Sequence, residues 1–241
     1  MSIDVFNRFE KKYILDQATY EAVYDILKER MTLDPYNKED GFYTISNIYY
    51  DTKEDELIKK SLSKPIYKEK LRLRAYGVPD MDTKVFLEIK KKYKGLVNKR
   101  RSTLKLNEAY DFIQSKTMPE PKLYQNRQVL KELDFFLKQY RLVPSMYIAY
   151  DRIALHSQDL RITFDTHIRA RTYDLALEQG DYGTPVLEEG QWLMEVKAHH
   201  SLPLWFVRVL SDYHIYSTSF SKYGKAYMMH DVMFLKGEKV S

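Results

Sequence analysis

The chain has 241 residues, of which 44% are hydrophobic, so it can bury a sizeable core and disorder is not expected. It contains no cysteine, which excludes disulfides and cysteine-ligated zinc and is compatible with a reducing cytoplasm. No apolar run reaches the length of about 18 residues that a membrane span needs, and the N-terminus lacks the apolar segment of a secretory signal. The 39 cations are opposed by 34 acids, so net charge alone gives a weak preference for anionic partners. We therefore expect a cytoplasmic protein with no membrane span.

The first half of the chain is predicted to form mainly strands, with two helices between them. Asp16 is predicted to cap the N-terminus of the first helix, and Lys94 and Gly95 are predicted to form the turn of a hairpin. Hydrophobic periodicity predicts strands over residues 5–15, 42–51, 67–76, 84–93 and 96–106, and helices over residues 17–31 and 54–62.

The second half alternates between helices and strands and has no Gly/Ser-rich linker. Helices are predicted over residues 107–115, 126–141, 202–214 and 221–233, and strands over residues 144–155, 160–173 and 191–199. We therefore expect a single domain, residues 1–241, of the α+β class. Because an antiparallel sheet of about eight strands tends to close on itself, we predict an eight-stranded antiparallel β-barrel with helices packed on its outside.

Several predicted strands carry ionic residues on one face and apolar residues on the other, because side chains in a strand alternate with period two. The stretch YKEKLRLRAYG, residues 67–77, places four cations on one face: Lys68, Lys70, Arg72 and Arg74. The ionic rows of the other strands contain Arg8, Glu10, Lys12, Glu88, Lys90, Lys92, Lys99, Arg101, Tyr150, Arg152, Arg161, Thr163, Asp165, Glu195 and Lys197.

Two arrangements fit this pattern. In the first, the apolar rows point into a core and the ionic rows face water, which is ordinary for antiparallel sheets. In the second, the ionic rows line the lumen of a barrel and the apolar rows pack outward against helices. Cations repeated at period two favour the second arrangement, because surface strands usually intersperse the two signs. Such a lumen must stay wet or hold an anion, and polyphosphate fits because its oxygens accept forked arginine hydrogen bonds.

Nine motifs occur in chain order between residues 6 and 228: RFEKKY, SNIYYDT, KLRLRAYG, FLEIKKK, VNKRR, AYDRIAL, LRITFDT, LMEVKAH and FSKYGKAY. Together they resemble the VTC domain, the polyphosphate polymerase domain of the vacuolar transporter chaperone complex. That family belongs to the triphosphate tunnel metalloenzymes of the CYTH-like superfamily. The resemblance covers nearly the whole chain.

The resemblance implies a basic tunnel in which the terminal phosphate of ATP is transferred to a growing polyphosphate chain, with a divalent metal, Mn²⁺ or Mg²⁺, held by acids. The motifs assign catalytic roles to Lys12, Arg72, Arg74, Lys90, Lys99, Arg152, Arg161 and Lys222. The motifs and the ionic rows give the substrate-binding candidates Tyr150, Ser221, Arg8, Lys70, Arg101 and Lys197. The metal-binding candidates are Glu195, Glu10 and Glu88. In these roles the cations neutralise phosphate charge, and the carboxylates offer hard oxygen ligands.

The first strand departs from the pattern of the wider superfamily. The CYTH group carries E-x-E-x-K there, whereas this chain has Arg8, Glu10 and Lys12 at those positions. The exchange of an acid for a cation weakens the case for a two-metal hydrolytic site and favours the VTC type. We expect a stand-alone catalytic domain, without the phosphate-sensing and transmembrane parts of eukaryotic VTC proteins, and a membrane partner protein stays open.

Three functions are compatible with the sequence. The first is a polymerase that uses ATP and polyphosphate, and the second is a CYTH-type phosphatase of inorganic or nucleoside triphosphate, with pyrophosphate also in this substrate class. The third is a non-catalytic module that binds polyphosphate or nucleic acid. Nucleic acid is not the expected partner, because Glu10, Glu88 and Glu195 on the ionic rows would repel its backbone unless a metal intervened. The oligomeric state stays open.

Overall fold

The structure, a computed structural model, describes residues 9–37, 41–94, 96–198 and 201–235. Its strands are β1 (Phe9–Leu15), β2 (Thr32–Leu33), β3 (Tyr43–Asp51), β4 (Tyr67–Tyr76), β5 (Lys84–Tyr93), β6 (Leu96–Lys105), β7 (Val143–His156), β8 (Leu160–Arg171), β9 (Thr184–Pro185) and β10 (Trp192–Ala198). Eight of them form one sheet in the order β1-β10-β8-β7-β3-β4-β5-β6, while β2 pairs with β7 and β9 pairs with β8. The predicted α+β class with eight antiparallel strands is confirmed.

The helices are α1 (Gln17–Lys28), α2 (Glu56–Leu62), α3 (Leu106–Ser115), α4 (Arg127–Gln139), α5 (Leu204–Asp212) and α6 (Lys222–Leu235), with one 3₁₀ turn at Leu177–Gln179. Asp16 caps α1 as predicted, since its carboxylate accepts a 2.7 Å hydrogen bond from the backbone N–H of Thr19. Sequence periodicity missed β2 and β9, because a strand of two residues shows no alternation. Within the described residues, no helix combines the length and apolarity that a membrane span requires.

The chain divides into two compact units. The first unit consists of Met1–Thr44, Tyr150–Ile168 and Leu187–Ser221. The second unit consists of Ile45–Ala149, Arg169–Val186 and Lys222–Ser241. Each unit has a hydrophobic core of its own. The expectation of a single domain therefore stays a prediction.

The core of the first unit lies between the apolar rows of its strands and two helices, α1 and α5. The ring of Tyr20 on α1 stacks on Trp192 of β10 at 3.6 Å between centroids and meets the edge of Phe164 on β8 at 5.1 Å. Stacked and edge-on aromatic pairs add to the stabilisation that burial provides. The polar row of these strands therefore lies on the sheet face opposite α1.

The core of the second unit buries the apolar rows of β4 and β5 under α3 and α4. The buried side chains of β4 are those of Leu71, Leu73 and Ala75, which are completely buried. From the helices, Phe112 of α3 and Leu133 of α4 have at most 1% of their surface exposed. Burial of each leucine or phenylalanine side chain among them contributes about 1.5–3 kcal/mol. In this unit, as in the first, helices cover the apolar rows, as the second of the two arrangements requires. The ionic rows lie on the other face.

Candidate functional site

Three adjacent strands of the second unit, β4, β5 and β6, present a face rich in cations. Strand register sets Arg72 opposite Glu88 and Glu88 opposite Arg101, and the next row sets Lys70 opposite Lys90 and Lys90 opposite Lys99. We call this face the cationic face. It comprises Lys70, Arg72, Arg74, Glu88, Lys90, Lys99 and Arg101, all of which were predicted site residues. It therefore sets six cations against one carboxylate.

Glu88 is the buried counter-ion of the cationic face, with 1% of its side chain exposed. Its Oε2 accepts a 2.7 Å hydrogen bond from Nε of Arg72 and lies 4.0 Å from Nε of Arg74, while its Oε1 lies 3.4 Å from Nζ of Lys99. Burial raises the pKa of Glu88, but the charges of Arg72, Arg74 and Lys99 outweigh burial and lower it to about 2. Glu88 is therefore ionised at neutral pH.

Residues of β3 and α6 hold the cationic side chains in place. Arg74 donates a 2.9 Å hydrogen bond to Oδ1 of Asn47, whose own amide donates to the backbone carbonyl of Ile148 at 3.0 Å. Arg72 donates a 3.3 Å hydrogen bond to the hydroxyl of Tyr49. The ring of Tyr49 stacks on that of Tyr223, with 4.4 Å between the centroids. The ammonium of Lys70 lies 5.3 Å from the Tyr223 centroid.

Sequence reasoning gave no role to Asn47, Tyr49 or Tyr223. All three nevertheless lie in two of the quoted motifs, SNIYYDT and FSKYGKAY. Their place in those motifs was the signal that could have pointed to them.

Strand register places Lys70, Lys90 and Lys99 directly opposite one another across β4, β5 and β6. Like charges directly opposite each other in a sheet are destabilising. Burial lowers the pKa of Lys99. The charge of Glu88 opposes this lowering, whereas the charges of Arg72, Arg74 and Arg101 add to it. An anion bound across this row would relieve the repulsion, so the row is suited to a ligand with several negative charges.

In the first unit, β1, β10 and β8 set acids and cations side by side. Register places Lys12 opposite Glu195 and Glu10 opposite Lys197. The ammonium of Lys12 lies 3.4 Å from Glu195 and 3.7 Å from Glu10, and it donates a 3.0 Å hydrogen bond to the carbonyl oxygen of Phe220. Lys197 lies 3.6 Å from the second oxygen of Glu195. Lys12 thus contacts two of the carboxylates that were predicted to bind metal.

Two predicted arginines of this unit, Arg152 and Arg161, each have a buried counter-ion to which the sequence analysis assigned no role. Arg152 donates two hydrogen bonds to Asp165, at 2.6 and 2.8 Å, and Asp165 is completely buried. Burial lowers the pKa of Arg152, but the charge of Asp165 outweighs it and raises that pKa. Arg161 pairs with Asp34 at 2.7 Å. Carboxylates of the protein therefore largely neutralise these two arginines.

The other predicted site residues are placed as follows. Tyr150 is buried, and its ring centroid lies 5.2 Å from the guanidinium carbon of Arg152. Ser221 is exposed at the end of the first unit, and Lys222 begins α6 in the second unit. Arg8 lies outside the described residues. The assigned roles of all these residues stay predictions.

The acids of the first unit fit a divalent metal better than Glu88 does. Within the part of the chain that the structure describes, no cluster of three or more acidic or histidine side chains could hold a metal ion. Mg²⁺, however, is usually bound through one or two carboxylates together with substrate phosphates. Glu10 and Glu195 meet at one ammonium and supply such oxygens, and the buried Thr163 hydroxyl opposite Glu195 has no hydrogen-bond partner. Glu88 is instead bound by three cations.

Two solved structures share the fold. One is a candidate adenylate cyclase from Bacillus halodurans, with 15% identity, a TM-score of 0.54, and coverage of 88% of this chain and 92% of that one. The other is a candidate adenylate cyclase from Vibrio parahaemolyticus, with 12% identity, a TM-score of 0.50, and coverage of 91% of this chain and 97% of that one. At these identities the likeness shows the fold alone.

The VTC domain family model matches residues 7–230. The chain therefore belongs to the VTC domain family. No curated protein sequence matches the chain significantly.

Proposed function

We propose that this protein is a metal-dependent polyphosphate polymerase that transfers the terminal phosphate of ATP to a polyphosphate chain. The observation that carries the proposal is the cationic face, which contains six cations and one carboxylate. On this face, a row of three lysines lies beside the row that contains Arg72 and Arg101. A ligand with many regularly spaced negative charges is the complement of such a surface.

The transfer needs little covalent chemistry from the protein. A terminal phosphate oxygen of the acceptor chain attacks the γ-phosphorus of ATP, the bond from that phosphorus to the β,γ-bridging oxygen breaks, and ADP leaves with the electron pair. The acceptor oxygen is already ionised, so no general base is required. Arg72 and Arg74, held by Glu88 and Asn47, would neutralise charge on the phosphates, including charge that develops in the transition state.

Glu195 and Glu10 are the residues that would hold the metal. When bound, Mn²⁺ or Mg²⁺ supplies further charge neutralisation at the phosphate oxygens. Lys12 lies between these carboxylates, so its ammonium would orient them until phosphates and metal enter.

Long chains require more cationic surface than a triphosphate does. The lysine row continues the arginine row along the strands, and one more row, with Lys68 opposite Lys92, follows it. From Arg74 to Lys68 is six residues of strand, or about 20 Å at 3.3 Å per residue. This length supports polyphosphate, rather than triphosphate alone, as the bound substrate.

Turnover tests the proposal. Purified protein with ATP and Mn²⁺ should release ADP, and a short polyphosphate added as acceptor should raise the rate. Glu195→Gln should reduce ADP release by at least about 100-fold, since it removes a charged ligand, while polyphosphate binding should persist or tighten. The matched control is Glu189→Gln, an exposed acid on the loop before β10, which should leave both unchanged. Loss of binding together with turnover, or turnover that Glu195→Gln leaves unaffected, would contradict the role of Glu195. Absence of turnover in the wild type would favour a binding module.

A further inference from the structure

The β5–β6 hairpin ends in a cluster of exposed apolar side chains. They are Ile66, Tyr67, Tyr93, Leu96 and Val97, with exposed fractions from 37% to 67%. Register sets Tyr67 opposite Tyr93 and Tyr93 opposite Leu96, and the backbone N–H of Lys94 donates to the carbonyl of Ile66 at 3.0 Å. Register and this hydrogen bond bring the five residues to the same end of the strands, and we call this group the hairpin tip. A group of exposed apolar side chains at one place on a protein is a candidate interaction site.

Lysines surround the hairpin tip. The ammonium of Lys94 lies 5.5 Å from the Tyr93 centroid, and that of Lys60 lies 5.9 Å from the Tyr67 centroid. Strand register sets Lys68 opposite Lys92. Burial lowers the pKa of Lys68, and the charges of Lys92 and Lys64 lower it further.

These cations have little acidic compensation at the hairpin tip. Among the described residues, no carboxylate forms an ion pair with Lys64, Lys92 or Lys94. The nearby buried carboxylate of Glu69 accepts instead from the hydroxyls of Tyr67 and Tyr140, at 2.6 and 2.7 Å.

The opposite end of the same strands has a different character. The turn between β4 and β5 also exposes apolar side chains, Val78 at 50% and Met81 at 46%. There, however, Asp80 and Asp82 lie in the same turn, and Asp82 pairs with Lys105 at 2.8 Å. Only one end of these strands therefore combines exposed apolar residues with an excess of cations, and that end is the hairpin tip.

We propose that the hairpin tip docks on the surface of an anionic lipid bilayer. Tyrosine rings with one polar edge suit the headgroup level, and aliphatic side chains such as Leu96 and Val97 suit the boundary with the acyl chains. Lysines at the rim reach anionic headgroups while their aliphatic stems cover apolar surface. A free polyphosphate chain would match the lysines but leave the apolar cluster without a partner.

Vesicle sedimentation of the whole chain, without ATP or metal, tests the proposal independently of the proposed activity. The protein should bind vesicles of phosphatidylcholine with phosphatidylglycerol and should not bind pure phosphatidylcholine. A Tyr93→Ser/Leu96→Ser double variant should bind the anionic vesicles at least about tenfold more weakly, because burial of the apolar tip is lost. The matched control, Val78→Ser/Met81→Ser at the opposite end, should bind like the wild type.

The charge contribution is tested by Lys64→Asn/Lys94→Asn. Both lysines have left-handed backbone conformations, with φ of 53° and 45°, which asparagine tolerates well. Each lysine near an anionic surface should contribute about fivefold in binding, so the pair should cost about 25-fold. Equal vesicle binding by all variants would overturn the proposal. The proposal would also be overturned if the wild type bound no vesicles and a hairpin-tip variant lost binding to soluble long-chain polyphosphate.

Discussion

Replacing Glu88 by glutamine tests how the cationic face is held together. The substitution keeps the shape of the side chain and removes the one negative charge that Arg72, Arg74 and Lys99 share. The pKa of Glu88 falls from an ordinary value of 4.5 to about 2. At 1.36 kcal/mol per unit, this fall corresponds to about 3 kcal/mol of favourable interaction for the ionised side chain. We expect Glu88→Gln to lower the free energy of unfolding at pH 7 by about 3 kcal/mol, within the range for breaking a buried ion pair.

The pH dependence of this difference follows from the sign of the shift. A carboxyl group whose pKa is lowered in the folded state stabilises the protein above its unfolded pKa, and that contribution disappears as pH falls through the folded pKa. The free energy of unfolding of the wild type should therefore exceed that of Glu88→Gln by a constant amount from pH 7 to about pH 4.5. The difference should disappear as the pH falls toward 2.

Urea unfolding across this pH range measures the difference directly. The matched control is Glu132→Gln, because Glu132 pairs at 3.5 Å with the partly exposed Arg100 of β6. A surface pair of this kind contributes about 0–1 kcal/mol, so the control should unfold close to the wild type. Tripolyphosphate should stabilise Glu88→Gln more than the wild type, since it supplies the missing negative charge. Equal stability of the two proteins at pH 7 would refute the reasoning.

Three further substitutions address the other contacts of the two units. Asp165→Asn should destabilise the protein by about 3–5 kcal/mol, because it leaves Arg152 buried without its carboxylate, and thermal and urea unfolding will show whether it does. Lys90→Gln should weaken the binding of long-chain polyphosphate about fivefold and make that binding less dependent on salt. Titration at several salt concentrations measures both effects. Unchanged salt dependence would contradict a contact between Lys90 and phosphate. Tyr49→Phe should leave the fold intact and lower turnover more than substrate affinity, because it frees Arg72 to move; a change in affinity alone would contradict a positioning role.

The period-two alternation of single strands was enough to predict which face of the sheet carries the charges. In β4, for example, Arg72 and Arg74 lie on the face opposite Leu71 and Leu73, as the sequence predicts. Alternation is local, because the backbone of one strand sets it without help from its neighbours. This is why β4 and β5 also begin and end at the predicted residues.

The partners of those charges could not be predicted, because they depend on register and on loops far away in sequence. Asp34 lies in the loop after β2 and pairs with Arg161, which is 127 positions later in the chain. Asp165 pairs with Arg152 only because β7 and β8 are neighbours in the sheet. The metal-binding role of Glu88 stays a prediction, and the sequence did not show that register sets Arg72 opposite Glu88 or that Lys99 lies 3.4 Å from it.

The identity of the reaction product tests the central claim most directly. Purified protein incubated with ATP and Mn²⁺ should give a ³¹P NMR spectrum in which the resonances of ADP grow together with the resonance of internal phosphates of a polymer. Glu195→Gln should show neither. A spectrum in which orthophosphate is the sole new phosphate product beside ADP would contradict the polymerase and support a triphosphatase, and a spectrum of unchanged ATP would contradict both.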